Sequence, residues 1–310
     1  MSLTFDSARI PNPHLTEDHL AWRDALRRFV DKEIMPYAED WDEAGHIPNE
    51  LWLRAAEVGL LGAGYPEEYG GMPTDSWHSW IIQEELSRVG VGGIAASLFV
   101  HSIGLPPVIN WGSAEMKANI APAVLRGESW ISLGITEPGG GSDVANLATT
   151  AVRDGDHFIV NGSKTYITGG MRANYVSTAV RTGGEGPTGV SMLLIPTDSE
   201  GFSRTRLDRK MGWWASDTAT LYFDNVRVPA DHIIGEENQG FKVIMTNFNN
   251  ERMGMAAAME AYGRVCLEEA VNWATERRTF GKRLADHQVI RHKIAMMKQK
   301  LNATQAYIRI

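Results

Sequence analysis

Gly134-Ile135-Thr136-Glu137-Pro138-Gly139-Gly140-Gly141-Ser142-Asp143 closes a strand-like run with a tight glycine-rich turn. Its glycines let a backbone approach a ligand closely, and Thr136 and Ser142 place hydroxyls on either side of that approach. Taken alone, the same string is equally a plain turn. The flanking texture decides the fold. Upstream, over 15–127, apolar residues recur at helical spacing, as in Trp22, Leu26, Phe29, Val30 and Ile34, then Leu51, Ala55, Val58 and Leu61. Over 129–227 the pattern changes to short β-rich runs at 130–136, 157–160, 175–180, 190–195 and 220–223. Glycine turns at Asp154-Gly155-Asp156, Asn161-Gly162 and 183–186 separate them, which is the punctuation of antiparallel hairpins. Helical patterns return from Gly240. The order predicts an α+β multidomain chain: an N-terminal helical domain (1–128), a central antiparallel β domain (129–238) and a C-terminal helical domain (239–310). There is no internal repeat. Gly62-Ala63-Gly64 follows a helical pattern and lacks a third glycine, which argues against a nicotinamide-binding fingerprint.

The 310 residues are 43% hydrophobic and 22% charged, ordinary for a globular protein of two or three domains. Thirty basic residues against 38 acidic ones give a net charge of -8, which disfavours a whole-chain attraction to nucleic acid or an anionic membrane. An anionic ligand must therefore be held by local groups. Cys266 is the only cysteine, so no intrachain disulfide and no multi-thiolate metal site can form. The apolar stretch 89–100 is shorter than the roughly 20 residues of a membrane-spanning helix and reads as a core helix. Residues 1–6 lack a basic region followed by an apolar one, so a soluble cytoplasmic protein is expected.

Three further segments carry chemistry. In Lys164-Thr165-Tyr166-Ile167-Thr168-Gly169-Gly170 an aromatic and a hydroxyl stand two residues apart, hence on one strand face, suited to stacking on a flat ring and bonding its edge. A half-buried core strand would read the same. In Glu276-Arg277-Arg278-Thr279-Phe280-Gly281-Lys282-Arg283, either the cations face a helix C-terminus capped by Gly281, or Arg277 and Thr279 grip a pyrophosphate. Phe248, Glu251, Met255, Ala258 and Tyr262 step by three and four, which places Glu251 in an apolar stripe expected to face the core. A carboxylate there is paired or functional, or it escapes to solvent.

Four segments, in order and at compatible spacing, resemble the acyl-CoA dehydrogenase family: Thr136-Glu137-Pro138 to Ser142-Asp143; Tyr166 to Gly170; Asp217-Thr218-Ala219 to Val228-Pro229 leading into Gly240-Phe241; and Arg277 to Gly281 with His287-Gln288. The resemblance spans essentially the whole chain. It implies a helical, β, helical fold that binds FAD and acts on a fatty acyl-CoA, usually as a homotetramer. Leu133, Ile135, Thr136, Gly141 and Ser142 match the loop lining the flavin, and Tyr166, Ile167 and Thr168 match the strand at its ring. The family more often carries tryptophan where this chain has Tyr166, and tyrosine keeps the stacking surface. Arg277, Thr279, Phe280, His287 and Gln288 match the face that holds the FAD of a neighbouring subunit. Ser142, Phe241, Met245, Asn249 and Arg252 match the acyl-CoA site, where many relatives carry aspartate at the position of Asn249. Ala95, Ala96, Phe99 and Ile103, on one helix face, match acyl-tunnel positions.

The family pattern continues past residue 310 through further bundle helices, which carry the catalytic glutamate in many members, so the C-terminal bundle is expected to be incomplete here. In a long-chain and isovaleryl-type branch the base instead stands immediately before the arginine, the position of Glu251, and the stretch from Lys210-Met211-Gly212 to Asp217-Thr218-Ala219 resembles that branch. The mechanism implied is abstraction of the α proton by Glu251 with hydride transfer from the β carbon to the flavin, followed by electron delivery to an electron-transferring flavoprotein. An acyl-CoA oxidase or flavin monooxygenase on the same fold is the nearest alternative. A nucleic-acid-binding damage-response protein of this fold conflicts with the acidic charge.

Overall fold

A computed structural model describes residues 3–208 and 210–309, with every side chain among them except that of Asn250. Helices α1 (Glu17–Glu33), α2 (Ala38–Ala44), α3 (Glu50–Glu57), α4 (Ser76–Ser87), α5 (Gly92–Leu98), α6 (His101–Trp111) and α7 (Ala114–Leu125) come first. Strands β1 (Ile131–Gly134), β2 (Thr150–Asp154), β3 (His157–Thr168), β4 (Tyr175–Arg181), β5 (Val190–Pro196), β6 (Phe202–Arg206) and β7 (Thr218–Pro229) follow. The chain then enters the long helix α8 (Gly240–Glu276), a small hairpin of β8 (Arg278–Thr279) and β9 (Lys282–Arg283), and α9 (Gln288–Ile308). The helical, β, helical order is the expected fold class. The residues gather in two compact units, one of 32–74 with 91–251 and one of 1–31, 75–90 and 252–310.

The first unit is built on a seven-stranded sheet in the order β1-β4-β2-β3-β7-β6, with β5 added to β4. Alternation along β5 sends Met192 and Leu194 to one apolar cluster and Leu193 and Ile195 to another, and β4 divides Ala179 from Val176 and Val180 in the same way. Both faces of these strands are therefore covered, so that even Ser177, Thr178 and Ser191 are buried among their apolar neighbours. The sheet is mixed and not purely antiparallel: β1 pairs with β4 in parallel, from Ile131 opposite Tyr175 to Gly134 opposite Thr178. A parallel neighbour needs a long crossover, and here it contains the glycine loop and the β2-β3 hairpin. Turn residues report only local reversals, so the sequence could not reveal this pairing.

Helix α6 lies against β1 because Gly104 has no side chain: a Cβ there would stand 2.6 Å from the carbonyl oxygen of Ile131. The Ser177 hydroxyl of β4 donates to the Gly104 carbonyl at 2.8 Å and fixes the approach. Gly92–Trp111, which contains α5 and α6, has a mean hydropathy of 1.5 and the length to cross a membrane, but 61% of its apolar window is buried in the fold, as a core segment requires.

In the second unit, buried charge takes core positions. Glu84 of α4 and Arg264 of α8 are both fully buried and meet at 2.7 Å, while Arg264 also lies 3.0 Å from Glu260 and Arg23 donates to Glu84 at 3.2 Å. At the start of α4 the Asp75 side chain caps the helix by accepting the amides of Trp77 and His78, and it also faces the His19 ring at 3.1 Å. Unpaired charges could not sit this deep, so the network locks α1, α4 and α8 into one register.

Gly104→Ala is expected to lower stability by about 1–3 kcal/mol, because the added methyl must push α6 off β1. Urea unfolding followed by far-UV circular dichroism checks it. A midpoint equal to the parent's would mean the approach is looser than the 2.6 Å separation indicates.

Candidate active site

The glycine loop is anchored from below by an ion pair. Lys164 is fully buried, and its ammonium donates to Glu137 at 2.7 Å and to the Ile135 carbonyl at 3.1 Å. Glu137 in turn accepts the amides of Ala148 at 2.6 Å and Thr149 at 2.9 Å. Burial pushes the Lys164 ammonium down to about 8 against the pull of Glu137. Burial raises the Glu137 carboxyl, but the Lys164 charge and these hydrogen bonds outweigh it and hold it below the usual range. Both partners are charged at neutral pH. Nothing local in the sequence marks either residue as functional, since β3 mixes polar residues such as Asn161, Ser163 and Thr165 with its apolar ones.

Above the pair, the Thr165 amide donates to the Thr136 carbonyl at 2.8 Å, so the loop and β3 share hydrogen bonds. At Gly141 a Cβ would press to 3.0 Å from the Thr136 side chain, which would have to give way. At Gly139 and Gly140 a Cβ would meet nothing, so the loop presents open backbone. Ile135 belongs to the core and Leu133 packs against it, while Ser142 is exposed.

Strand β3 shifts register against β7 between Lys164 and Ile167. Within that bulge Tyr166 adopts a left-handed backbone with φ 59° and leaves its side chain 70% exposed. A bulky residue in this region costs on the order of 1–3 kcal/mol, which the flanking strands and the buried pair must hold in place. Thr168 is half-buried, and the bulge breaks the strict two-residue alternation, while Ile167 points into the core and can offer a ligand only its main chain.

Thr168 also lines an open cleft of about 500 Å³ with Lys210, Met211, Gly212, Trp213, Ser216 and Thr218. Lys210 shapes its wall by donating to the carbonyls of Trp213 (2.8 Å) and Ser216 and to the Thr218 hydroxyl at 3.1 Å. Trp213 is a second aromatic held left-handed, at φ 58° and half exposed. Its ring lies where a Gly92 side chain would be, 2.4 Å from the position of an added Cβ. Buried Asp217 accepts from Arg172 at 3.0 Å and from the Met171 amide at 3.1 Å, closing the turn after β3. Lys210, Trp213 and Arg172 carry no local motif of their own, because their partners, the carbonyls of Trp213 and Ser216, Gly92 and Asp217, are set by the fold.

Ala95, Ala96, Phe99 and Ile103 are all half-buried but do not share one helix. Phe99 ends α5 with φ -101° and ψ 15°, and its carbonyl accepts the Ser102 hydroxyl at 2.7 Å, so Ile103 belongs to α6. A periodic apolar run does not show a break whose carbonyls are capped locally. On α8, Phe241 and Met245 pack on the core, and Asn249 is exposed. Glu251 is half-buried, and the apolar stripe drawn through it is not the core face: Met255 is 55% exposed. Farther along, the buried face runs through Ala257, Glu260, Ala261, Arg264 and Leu267. Two of those positions hold the paired charges of the second unit, which a hydropathy pattern assigns to solvent.

Arg252, Arg277, Thr279, Phe280, His287 and Gln288 belong to the second unit. The segment after α8 is a hairpin and not a glycine-capped helix end. Arg278 pairs with Arg283 and Thr279 with Lys282, and the two turn residues Phe280 and Gly281 have φ 51° and 79°, both positive as a tight hairpin turn needs. This presents Phe280 96% exposed. The Thr279 hydroxyl lies 3.4 Å from the His287 ring, and Phe280 meets that ring edge-on with centroids 6.5 Å apart. Arg277 and Gln288 are exposed beside them in the chain.

Comparison with known proteins agrees with this architecture. Family models for the acyl-CoA dehydrogenase N-terminal, middle and C-terminal domains match residues 16–128, 132–226 and 238–310. A solved structure described as a "probable acyl CoA dehydrogenase" from Mycobacterium abscessus is 48% identical, with TM-score 0.92 over 95% of this chain and 78% of that one. The mitochondrial long-chain specific acyl-CoA dehydrogenase of Sus scrofa is 34% identical over 94% of this chain and 69% of its own length. A glutaryl-CoA dehydrogenase from Mycobacterium smegmatis, solved with FADH2, is 29% identical with TM-score 0.88 over 95% of this chain and 75% of that one. With three domain models matched in order and this conservation of fold, the chain belongs to the acyl-CoA dehydrogenase family of oxidoreductases.

Proposed function

We propose that the protein oxidises the α,β bond of a fatty acyl-CoA to the trans-2-enoyl-CoA with FAD and passes the electrons to an electron-transferring flavoprotein. The observation that carries this reading is Tyr166, an exposed aromatic ring on a strained bulge beside the anchored Thr136 loop. Strain of this kind persists where a ligand uses the geometry.

The residues present fit the flavin. Tyr166 and Thr168 offer a stacking surface and a hydroxyl, while Gly139, Gly140 and Gly141 leave room for close backbone approach. When bound, the flavin supplies the acceptor for the hydride that leaves the β carbon. The protein's own task is the proton. A thioester α proton is weakly acidic, so a carboxylate must be placed against it, and Glu251, half-buried on α8 before Arg252, is that base. The α carbon loses its proton to Glu251 as the β carbon loses hydride, and the electron pair left behind forms the double bond. Phe241 and Met245, with Ala95, Ala96, Phe99 and Ile103, line the acyl site, and Asn249 and Arg252 face the CoA portion. The exposed hairpin of Arg277, Thr279 and Phe280, with His287 and Gln288, grips the FAD of a neighbouring copy in a homotetramer.

Glu251→Gln keeps the shape of the side chain and removes its proton affinity. Flavin reduction by bound acyl-CoA, followed anaerobically at the flavin absorbance, is expected to slow by about 10² to 10⁴ with flavin content unchanged. Reduction near the parent rate places the base elsewhere. Arg277→Ala removes a charge-assisted contact and is expected to weaken FAD retention about 10- to 100-fold by ultrafiltration; full retention would exclude this arginine from the cofactor site. Titrated with straight and branched acyl-CoAs of increasing length, the protein is expected to favour medium, long or branched chains, and a strong preference for butyryl-CoA over every longer one would overturn the tunnel assignment.

A further inference from the structure

We propose that the buried Lys164–Glu137 pair is a positioning device for the flavin, setting the distance between the Thr136 loop and the bulge that aims Tyr166. This rests on the flavin reading above. Neither residue can touch a ligand, since Lys164 is fully buried and Glu137 is 8% exposed. They act through their neighbours. Lys164 holds the carbonyl of Ile135, one residue before Thr136, and stands two residues before Tyr166 at the register shift. Glu137 follows Thr136 directly and holds the Ala148 and Thr149 amides on the far side of the glycine turn. Thr136, between Ile135 and Glu137, and the start of the bulge that carries Tyr166 are therefore tied directly to the two charges.

Stability alone does not require the pair. Replacing a buried ion pair with apolar side chains of similar size is often neutral or stabilising, and Ile135 and Ile167 beside it already belong to apolar clusters. What the charges supply that hydrocarbon cannot is direction: an ammonium with two fixed acceptors and a carboxylate with three fixed donors. Removing one charge strands the other and damages both fold and site. Removing both separates the two effects.

The test compares the purified flavin-loaded parent with Lys164→Met, Lys164→Met/Glu137→Leu and Glu137→Gln. Denaturant midpoints are read at saturating FAD, FAD release by ultrafiltration, and the flavin environment from visible absorption and circular dichroism. Lys164→Met is expected to lose both stability and FAD. The double variant is expected to be more stable than Lys164→Met, because no charge is left stranded, while holding FAD at least tenfold more weakly than the parent, with a visible spectrum moved toward that of free flavin. Parent-like affinity and spectrum in the double variant would reduce the pair to a structural strut and overturn the proposal. Glu137→Gln keeps one of the two acceptor oxygens and most of the side chain's volume, and guards against a double variant that fails to fold: a shifted flavin spectrum is expected, and an unchanged spectrum and affinity would overturn the proposal equally. A parent that binds no FAD would instead overturn the flavin reading itself.

Discussion

A lysine ammonium with no solvent contact must find its hydrogen bonds inside the fold, and the organisation of the β unit follows from where Lys164 finds them. Its acceptors are the Ile135 carbonyl and Glu137, so the segment after β1 must fold back over β3. Glu137, now buried, needs donors beyond Lys164 and takes the amides at Ala148 and Thr149, which brings the start of β2 to the same place. Breaking such a pair by removing one partner costs on the order of 3–5 kcal/mol, comparable to a large share of a domain's net stability. The glycine loop is thus a fixed surface, although its sequence is that of a flexible turn.

The same constraint explains how Tyr166 can be held in a left-handed conformation. A bulge in an exposed hairpin would relax by slipping register, but β3 is pinned on one side of the bulge by Lys164 and on the other by Ile167, Gly169 and Asp217. Trp213 is held by a comparable arrangement, with Lys210 gathering the carbonyls around it and the start of α5 stripped to glycine to admit its ring. In both cases an aromatic surface is displayed by a lysine bonded to nearby carbonyls, fully buried at Lys164 and half-buried on the cleft wall at Lys210. Helix α6, drawn close by Gly104, supports β1 from behind and so carries the loop that β1 leads into.

Much of this was legible in the sequence. The helical, β, helical order followed from a change of apolar period near residues 129 and 240, and β4 and β5 stand out because they are rich in apolar and β-branched residues between glycine turns. Strand β6, with Ser203, Arg204, Thr205 and Arg206, was not, because only one edge of it pairs and little of it is buried. The glycine loop and the Tyr166 strand were located correctly in the chain. The α8 stripe was drawn in the wrong phase, since Glu260 and Arg264 occupy the core by satisfying each other and Glu84. After α8 the sequence allowed either a glycine-capped helix end or a pyrophosphate grip, and neither reading anticipated the β8-β9 hairpin, because Gly281 after a basic run suits a helix cap and a tight turn alike.

The sequence by itself determined the helical, β, helical order and most of the strands, because these depend on side-chain period, a local property, although the turn expected at Asn161-Gly162 lies inside the continuous strand β3. It also determined the family, through four motifs kept in order. The tertiary structure alone decided that β1 lies parallel to β4, that α5 and α6 part at Phe99, and that Lys164, Glu137 and the Ala148-Thr149 amides converge under the loop. Those outcomes depend on pairings between residues far apart in the chain, where the energy of a buried charge is set by its partner and not by its own identity.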